Sequence, residues 1–246
     1  MGLPPVILPR KDEGRRRPPA FYALAPGSWR DYVNLLHLPY TCWHLSFVAY
    51  GAALAPTLHL DRLLGSLLAF FLAVGVGAHA LDELQGRPLG THLPWPVLVA
   101  LATVSLGGTV ALGGLAWVLV SPWVVPFIVA GVFLVLSYNL ELAGGRFHNW
   151  FWFAAGWGAF PVLASAWSQT LQVTPAAIIA AAAAFLLSAV QRTLSLPAKR
   201  ARRLPTPDSD GTRYRESVQS YERALWLLSL ALPALAAALL LGLKGR

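Results

Sequence analysis

At 246 residues, with 56% hydrophobic and only 12% charged residues, the chain is too apolar for an ordinary soluble domain, in which about a quarter of residues carry charge. The deficit is concentrated in runs without Lys, Arg, Asp or Glu, each near the ~20 residues that a helix needs to cross hydrocarbon. Lipid cannot satisfy open backbone groups and barrel strands would be short and alternating, so the runs predict an all-α, polytopic transmembrane helical bundle. The net charge of +8 reads as membrane topology and contact with anionic lipid, and nucleic acid is not an expected partner.

Residues 1–31 form a basic, proline-rich tail containing Arg10, Lys11, Arg15, Arg16 and Arg17. With no apolar stretch there, no cleaved signal peptide is expected. The remainder, 32–246, reads as one transmembrane helical domain of about seven spans. These fall near 32–56, 63–81, 96–120, 122–140, 149–171, 174–191 and 224–243. The first contains His37 and His44, seven residues apart on one helical side, for which interior hydrogen bonding is the expected role. The only cysteine, Cys42, is expected to pack there as a small hydrophobe. The third carries Gly107, Gly108, Gly113 and Gly114, and the sixth the run Ala180 to Ala184, both suited to close helix contact. The fifth is crowded with rings, among them Trp150, Phe151, Trp157, Phe160 and Trp167. They can line a slot for a long apolar chain or serve as interfacial anchors, and both readings stand. A basic loop near 192–223, with Pro197, Pro205 and Pro207, predicts an irregular or amphipathic segment before the last span.

Of the 19 Lys and Arg, all but Arg62, Lys244 and Arg246 fall on one side if the spans number seven. The positive-inside rule makes that side cytoplasmic and predicts a multi-pass cell-membrane protein with its N-terminus inside. Every acidic residue except Asp61 joins them. Asp82 and Glu83 end the second span, Glu141 the fourth and Gln191-Arg192 the sixth, with Arg87 and Arg146 close behind the first two. His79, Asp82 and Glu83 stand at i, i+3 and i+4, on one helical face. They can converge on one ion or proton, or form an ordinary polar helix end with Asp82 paired to Arg87. Carboxylates beside arginines at such a mouth suit a metal–diphosphate site, because Mg²⁺ takes oxygen ligands and guanidinium groups fork onto phosphate.

Taken in order, these residues resemble the UbiA-type intramembrane prenyltransferase superfamily over roughly residues 32–200. That family ends its second helix in Asn-Asp-x-x-Asp, followed by Arg-Pro-(Leu/Ile) and glycine. Here Ala78-His79-Ala80-Leu81-Asp82 precedes Gly86-Arg87-Pro88-Leu89-Gly90. Tyr138, Arg146 and the run Trp157-Gly158-Ala159-Phe160-Pro161 resemble the family's later features. Asp82 matches the second aspartate, whereas His79 stands in place of the first. Gln191, Arg192 and a basic run replace the second aspartate motif, and the family's usual nine spans are shortened. The resemblance implies a polyprenyl diphosphate donor, an acceptor and Mg²⁺. Asp82, Glu83 and Glu141 are then its metal ligands, Asp82, Glu83 and His79 the catalytic groups, and Arg87, Tyr138, Arg146 and Arg192 the substrate contacts. A second expectation stands beside it: a non-catalytic lipid-binding or assembly subunit that kept the fold and lost the site. A small transporter is a third, and the absence of charge at mid-membrane speaks against it.

Overall fold

Pro39 lacks the N–H that a continuous helix would use, so the first apolar run is divided. Helix α1 (Trp29–Leu35) stops, His37 takes left-handed dihedrals (φ 45°, ψ 47°), and α2 (Leu38–Ala52) begins. Helix α3 (Leu60–Leu84) is continuous, but its middle, Phe71–Ala78, is wound as a π-helix. Helices α4 (Trp95–Leu119) and α5 (Pro122–Asn139) each start at a proline tolerated in the first turn. Helix α6 (150–170) is capped by Asn149, whose Oδ1 accepts from Phe151 and Trp152 N–H; it too contains a π-wound turn, Ala155–Ala159. Helices α7 (Pro175–Arg203) and α8 (Gly211–Lys244) complete the chain.

This computed structural model describes residues 20–25, 27–203 and 211–244, without the side chains of 200–203, 211–217 and 243–244. No strand occurs among the described residues. The basic tail expected over 1–31 lies outside them up to residue 19, as do 204–210 of the expected loop. On either side of that gap the loop is helix: α7 runs through Pro197 to Arg203 and α8 starts at Gly211. The loop expected to be irregular or amphipathic over 192–223 is thus helical over its described residues, 192–203 and 211–223.

Among the described residues, five helices are long and apolar enough to cross a membrane: α3, α4, α5, and the stretches Pro175–Lys199 of α7 and Val218–Gly242 of α8. The two other expected runs correspond to the divided α1–α2 and to α6, which is diluted by Trp, Ser and Gln. Val104, Val118, Trp123, Ile179 and Leu227 are each 68–77% exposed. Large apolar side chains exposed along helices of spanning length are placed for lipid, not water, and this is a membrane protein. Cys42 is exposed as well, which corrects its expected packing: its position on α2 points outward while Trp43 and His44 point in.

Helix α2 packs against α8, the second half of α6 and α3. Around it Trp43, Phe47, Val162, Ala180, Ala181 and Ala184 form one buried cluster. The alanines let α7 approach, and at Gly158 any Cβ would meet the Ala184 carbonyl and the Ser188 hydroxyl. A second cluster joins the π segment of α3 to α4, α5 and Trp157. In the third expected span only some glycines face neighbours: a Cβ at Gly113 would strike Ile128 and one at Gly108 would press Leu72, while Gly107 and Gly114 face open space. The C-terminal ends of α3, α5 and α7 come together at one end of the bundle. At the other end, Arg62 donates to the Ser168 and Gln169 carbonyls, tying the start of α3 to the end of α6.

Candidate functional site

Where the ends of α3, α5 and α7 meet the start of α2, the structure encloses a polar cavity of about 490 Å³. Asp82 from α3, Tyr138 and Glu141 from the end of α5, and Gln191, Arg192 and Lys199 from α7 line it, with His37, His44, His79 and His148. Asp82 lies within electrostatic reach of Lys199, Glu83, Glu141 and Arg192, so two acids and two cations share one small volume.

Arg192 is held by its surroundings. Its Nη1 donates to the Tyr138 hydroxyl, and its guanidinium carbon lies 5.8 Å from the Tyr138 ring centroid and 5.4 Å from that of Phe153. One edge of the planar fork is thereby fixed, and no ion pair with a carboxylate forms at Arg192 among the described residues. Tyr138 is itself clamped: the His148 ring stacks on it at 4.4 Å while His148 Nδ1 donates to its carbonyl at 3.0 Å. His148 also approaches Glu141 at 3.9 Å.

The remaining expected site residues are elsewhere. Glu83 is 1% exposed, and its carboxylate accepts from Thr91 N (2.8 Å), Thr91 Oγ1 (2.9 Å) and Leu89 N (3.3 Å). Arg87, in left-handed dihedrals, donates to the Thr91 carbonyl at 2.7 Å and the Leu93 carbonyl at 3.0 Å. Both residues fasten the loop between α3 and α4, and neither lines the cavity. Arg146 is exposed on the turn between α5 and α6, also outside it. The expected group thus separates: His79, Asp82, Tyr138, Glu141 and Arg192 converge, while Glu83, Arg87 and Arg146 do not join them.

Gln191 and Lys199 were not among the expected site residues, and His37 and His44 were expected only to hydrogen-bond within the bundle, yet all four line the cavity. His37 stacks on His79 with centroids 4.0 Å apart and planes 11° from parallel, and its Nδ1 is 3.0 Å from the Tyr22 hydroxyl. The intramembrane position of two histidines in a segment without acids was the available signal.

For Mg²⁺, no group of three or more His, Cys, Asp or Glu side chains able to hold a metal ion occurs among the described residues. With Glu83 committed to its loop, two of the carboxylates implied by the resemblance, Asp82 and Glu141, line the cavity. That is too few for a resident ion, but it fits one arriving with a diphosphate, since Mg²⁺ is commonly held by one or two carboxylates plus substrate phosphates.

Behind Trp157, which walls both spaces, a second cavity of about 330 Å³ runs between α3, α4, α5 and α6. Its walls are almost wholly apolar and include Phe127, Phe160 and Trp167, with Asp61 and Arg62 at the far end. The aromatic fifth run is therefore divided in use: Trp157, Phe160 and Trp167 border this slot, whereas Trp150 and Phe151 are exposed. A charged pocket backed by an apolar slot can hold an amphiphile, head at one end and chain at the other. No family model matches the chain, and neither the curated proteins nor the solved structures provide a match.

Proposed function

We propose that the chain is a UbiA-like membrane prenyltransferase that binds a polyprenyl diphosphate, and that the acceptor enters the same polar cavity. The observation that carries this reading is the shared Trp157 wall: a cavity with Arg192 and Lys199 on one side, an apolar slot on the other. Arg192 offers its unclamped guanidinium edge to a phosphate oxygen, and Lys199 adds a second positive charge. Asp82 and Glu141 would hold Mg²⁺ brought with the diphosphate; that ion supplies neutralisation of the departing negative charge. Tyr138 and Phe153 keep Arg192 in place, and the packed walls exclude water from a reactive allylic carbon.

The test is prenyl transfer by purified protein in detergent with magnesium, across donor chain lengths and acceptors. Asp82→Asn is expected to lower turnover on the order of 10²-fold, as removal of a principal electrostatic group does. Arg192→Met is expected to weaken donor binding about tenfold or more, through loss of charge-assisted hydrogen bonds. Equal rates in wild type and Asp82→Asn reject the site. A protein that binds the donor and transfers it to no acceptor supports the second reading, a non-catalytic lipid-binding or assembly subunit. The replacement of the second aspartate motif by Gln191, Arg192 and Lys199 favours that alternative.

A further inference from the structure

We propose that residues 20–24 form a strap that shuts the polar cavity and swings away to admit its occupant. Ala20 lines the cavity beside His37, Tyr40, Leu196 and Lys199, and is 6% exposed. The segment belongs to no helix. Its backbone makes a single turn, with Ala23 N–H donating to the Ala20 carbonyl at 3.1 Å. Side chains of three helices hold it down. Asn34, near the end of α1, clasps Leu24 twice: Leu24 N–H donates to Oδ1 at 2.7 Å, and Nδ2 donates to the Leu24 carbonyl at 3.0 Å. Phe21 stands edge-on to Tyr40 of α2 and Trp226 of α8, with centroids 6.1 and 5.2 Å away. Tyr22 stands edge-on to Tyr40 at 5.4 Å, and its hydroxyl reaches Nδ1 of the cavity residue His37 at 3.0 Å.

These holds make the strap the least anchored part of the cavity wall. Most of the remaining wall is helix, whose backbone hydrogen bonds and packed faces must give way together before it can move. The loop between α3 and α4 is fastened by Glu83 and Arg87. A short segment held by one turn, one amide clasp, one hydroxyl and a few ring edges opens locally while the bundle stays intact. The chain also bends where the strap meets α1. Gly27 and Ser28 have φ of 138° and 46°, so the helix does not continue into the strap and carries none of its stiffness there. Because Phe21 and Tyr22 both rest on Tyr40, the two rings leave together. The strap goes beyond the proposed function and holds for any polar group that reaches the cavity from water.

The test uses the full chain in detergent with Cys42→Ser, which removes the one native thiol, and a single reporter inside the cavity, Ser195→Cys. Its rate of reaction with the charged reagent 2-sulfonatoethyl methanethiosulfonate reads access from water. Where opening and closing are fast relative to labelling, that rate follows the population of the open form. Asn34→Ala strips the Leu24 N–H and carbonyl of their partners in the closed form, and water replaces them in the open one. It is expected to speed labelling on the order of tenfold. Phe21→Ala, which releases the strap from Tyr40 and Trp226, is expected to speed it too. A second reporter, Ser105→Cys, 3% exposed and not part of the cavity wall, is expected to stay unreactive in every background. Faster labelling of Ser195→Cys in either variant, with Ser105→Cys silent, supports the strap. Unchanged labelling in both variants overturns it. Acceleration shared by Ser105→Cys overturns it as well, since residues 20–24 then support the packing of the whole bundle.

Discussion

At Asp82 and Glu83, two adjacent carboxylates on one helix end are sent in different directions: the first lines the cavity and the second is spent on Thr91 and Leu89. Glu83→Ala would strand buried N–H donors, at about 1–3 kcal/mol each. Thermal unfolding in detergent should therefore show a lowered midpoint, with binding of a prenyl diphosphate retained in the cold, folded protein. Loss of binding at unchanged stability would instead make Glu83 a site residue. Asp31 is a second buried carboxylate with a structural task, accepting from Gly27 N at 3.1 Å and His92 N at 3.0 Å. Burial alone would raise its pKa, but those donors and the nearby His92 ring hold it below the ordinary value of 3.8. A depressed folded-state pKa stabilises the protein above the ordinary value, and that contribution is lost as pH falls through the folded one. The unfolding midpoint should drop below about pH 4 more steeply in wild type than in Asp31→Asn, which begins lower and changes less. Parallel profiles would remove Asp31 from the acid response.

Among the elements, α3 and α6 do the positioning. A π-wound turn in each faces the site, and each supplies a carbonyl to one histidine. Helix α6 can do this because α7 lies close against it, and that approach depends on Gly158 facing the Ala184 carbonyl. Gly158→Val should lower stability by about 1–3 kcal/mol through overpacking, read as an earlier unfolding transition in detergent. Gly107→Ala, facing open space on α4, is the matched control and should not destabilise. Equal behaviour of the two would mean that α6 and α7 are not in close contact. Helix α7 matters in another way. By continuing past Pro197 it carries Lys199, two turns beyond Arg192, to the same cavity.

For the whole molecule the open quantity is parity. The distribution of basic residues predicts N-terminus inside, C-terminus outside and about seven crossings, and among the described residues five helices meet the length and apolarity for a crossing. A Cys42→Ser background allows a single new thiol to report the side. A thiol after Lys244 should react with an impermeant maleimide from outside, and one near Arg202 should be spared. The reverse pattern reverses the orientation, and labelling at both sites makes the span count even. With either outcome the polar cavity stays at the end of the bundle that gathers the ends of α3, α5 and α7.

The sequence by itself determined the all-helical membrane fold, because the absence of charge over spans of helix length is a one-dimensional property that lipid converts directly into structure. It also determined that Asp82, Tyr138, Glu141 and Arg192 reach one end of the bundle, since antiparallel helices of similar length return their alternate ends to the same face. Only the tertiary structure decided which of those groups meet. Glu83 and Asp82 are indistinguishable by spacing, and the short loop that wraps back onto Glu83 separates them. Arg87 is drawn to loop carbonyls in the same way. The break at His37, the two π-wound turns and the buried acceptor on Gln191 arise from packing between helices distant in sequence. A helical period carries no record of which carbonyl a neighbouring helix will claim, so that part of the site was fixed by three-dimensional contact.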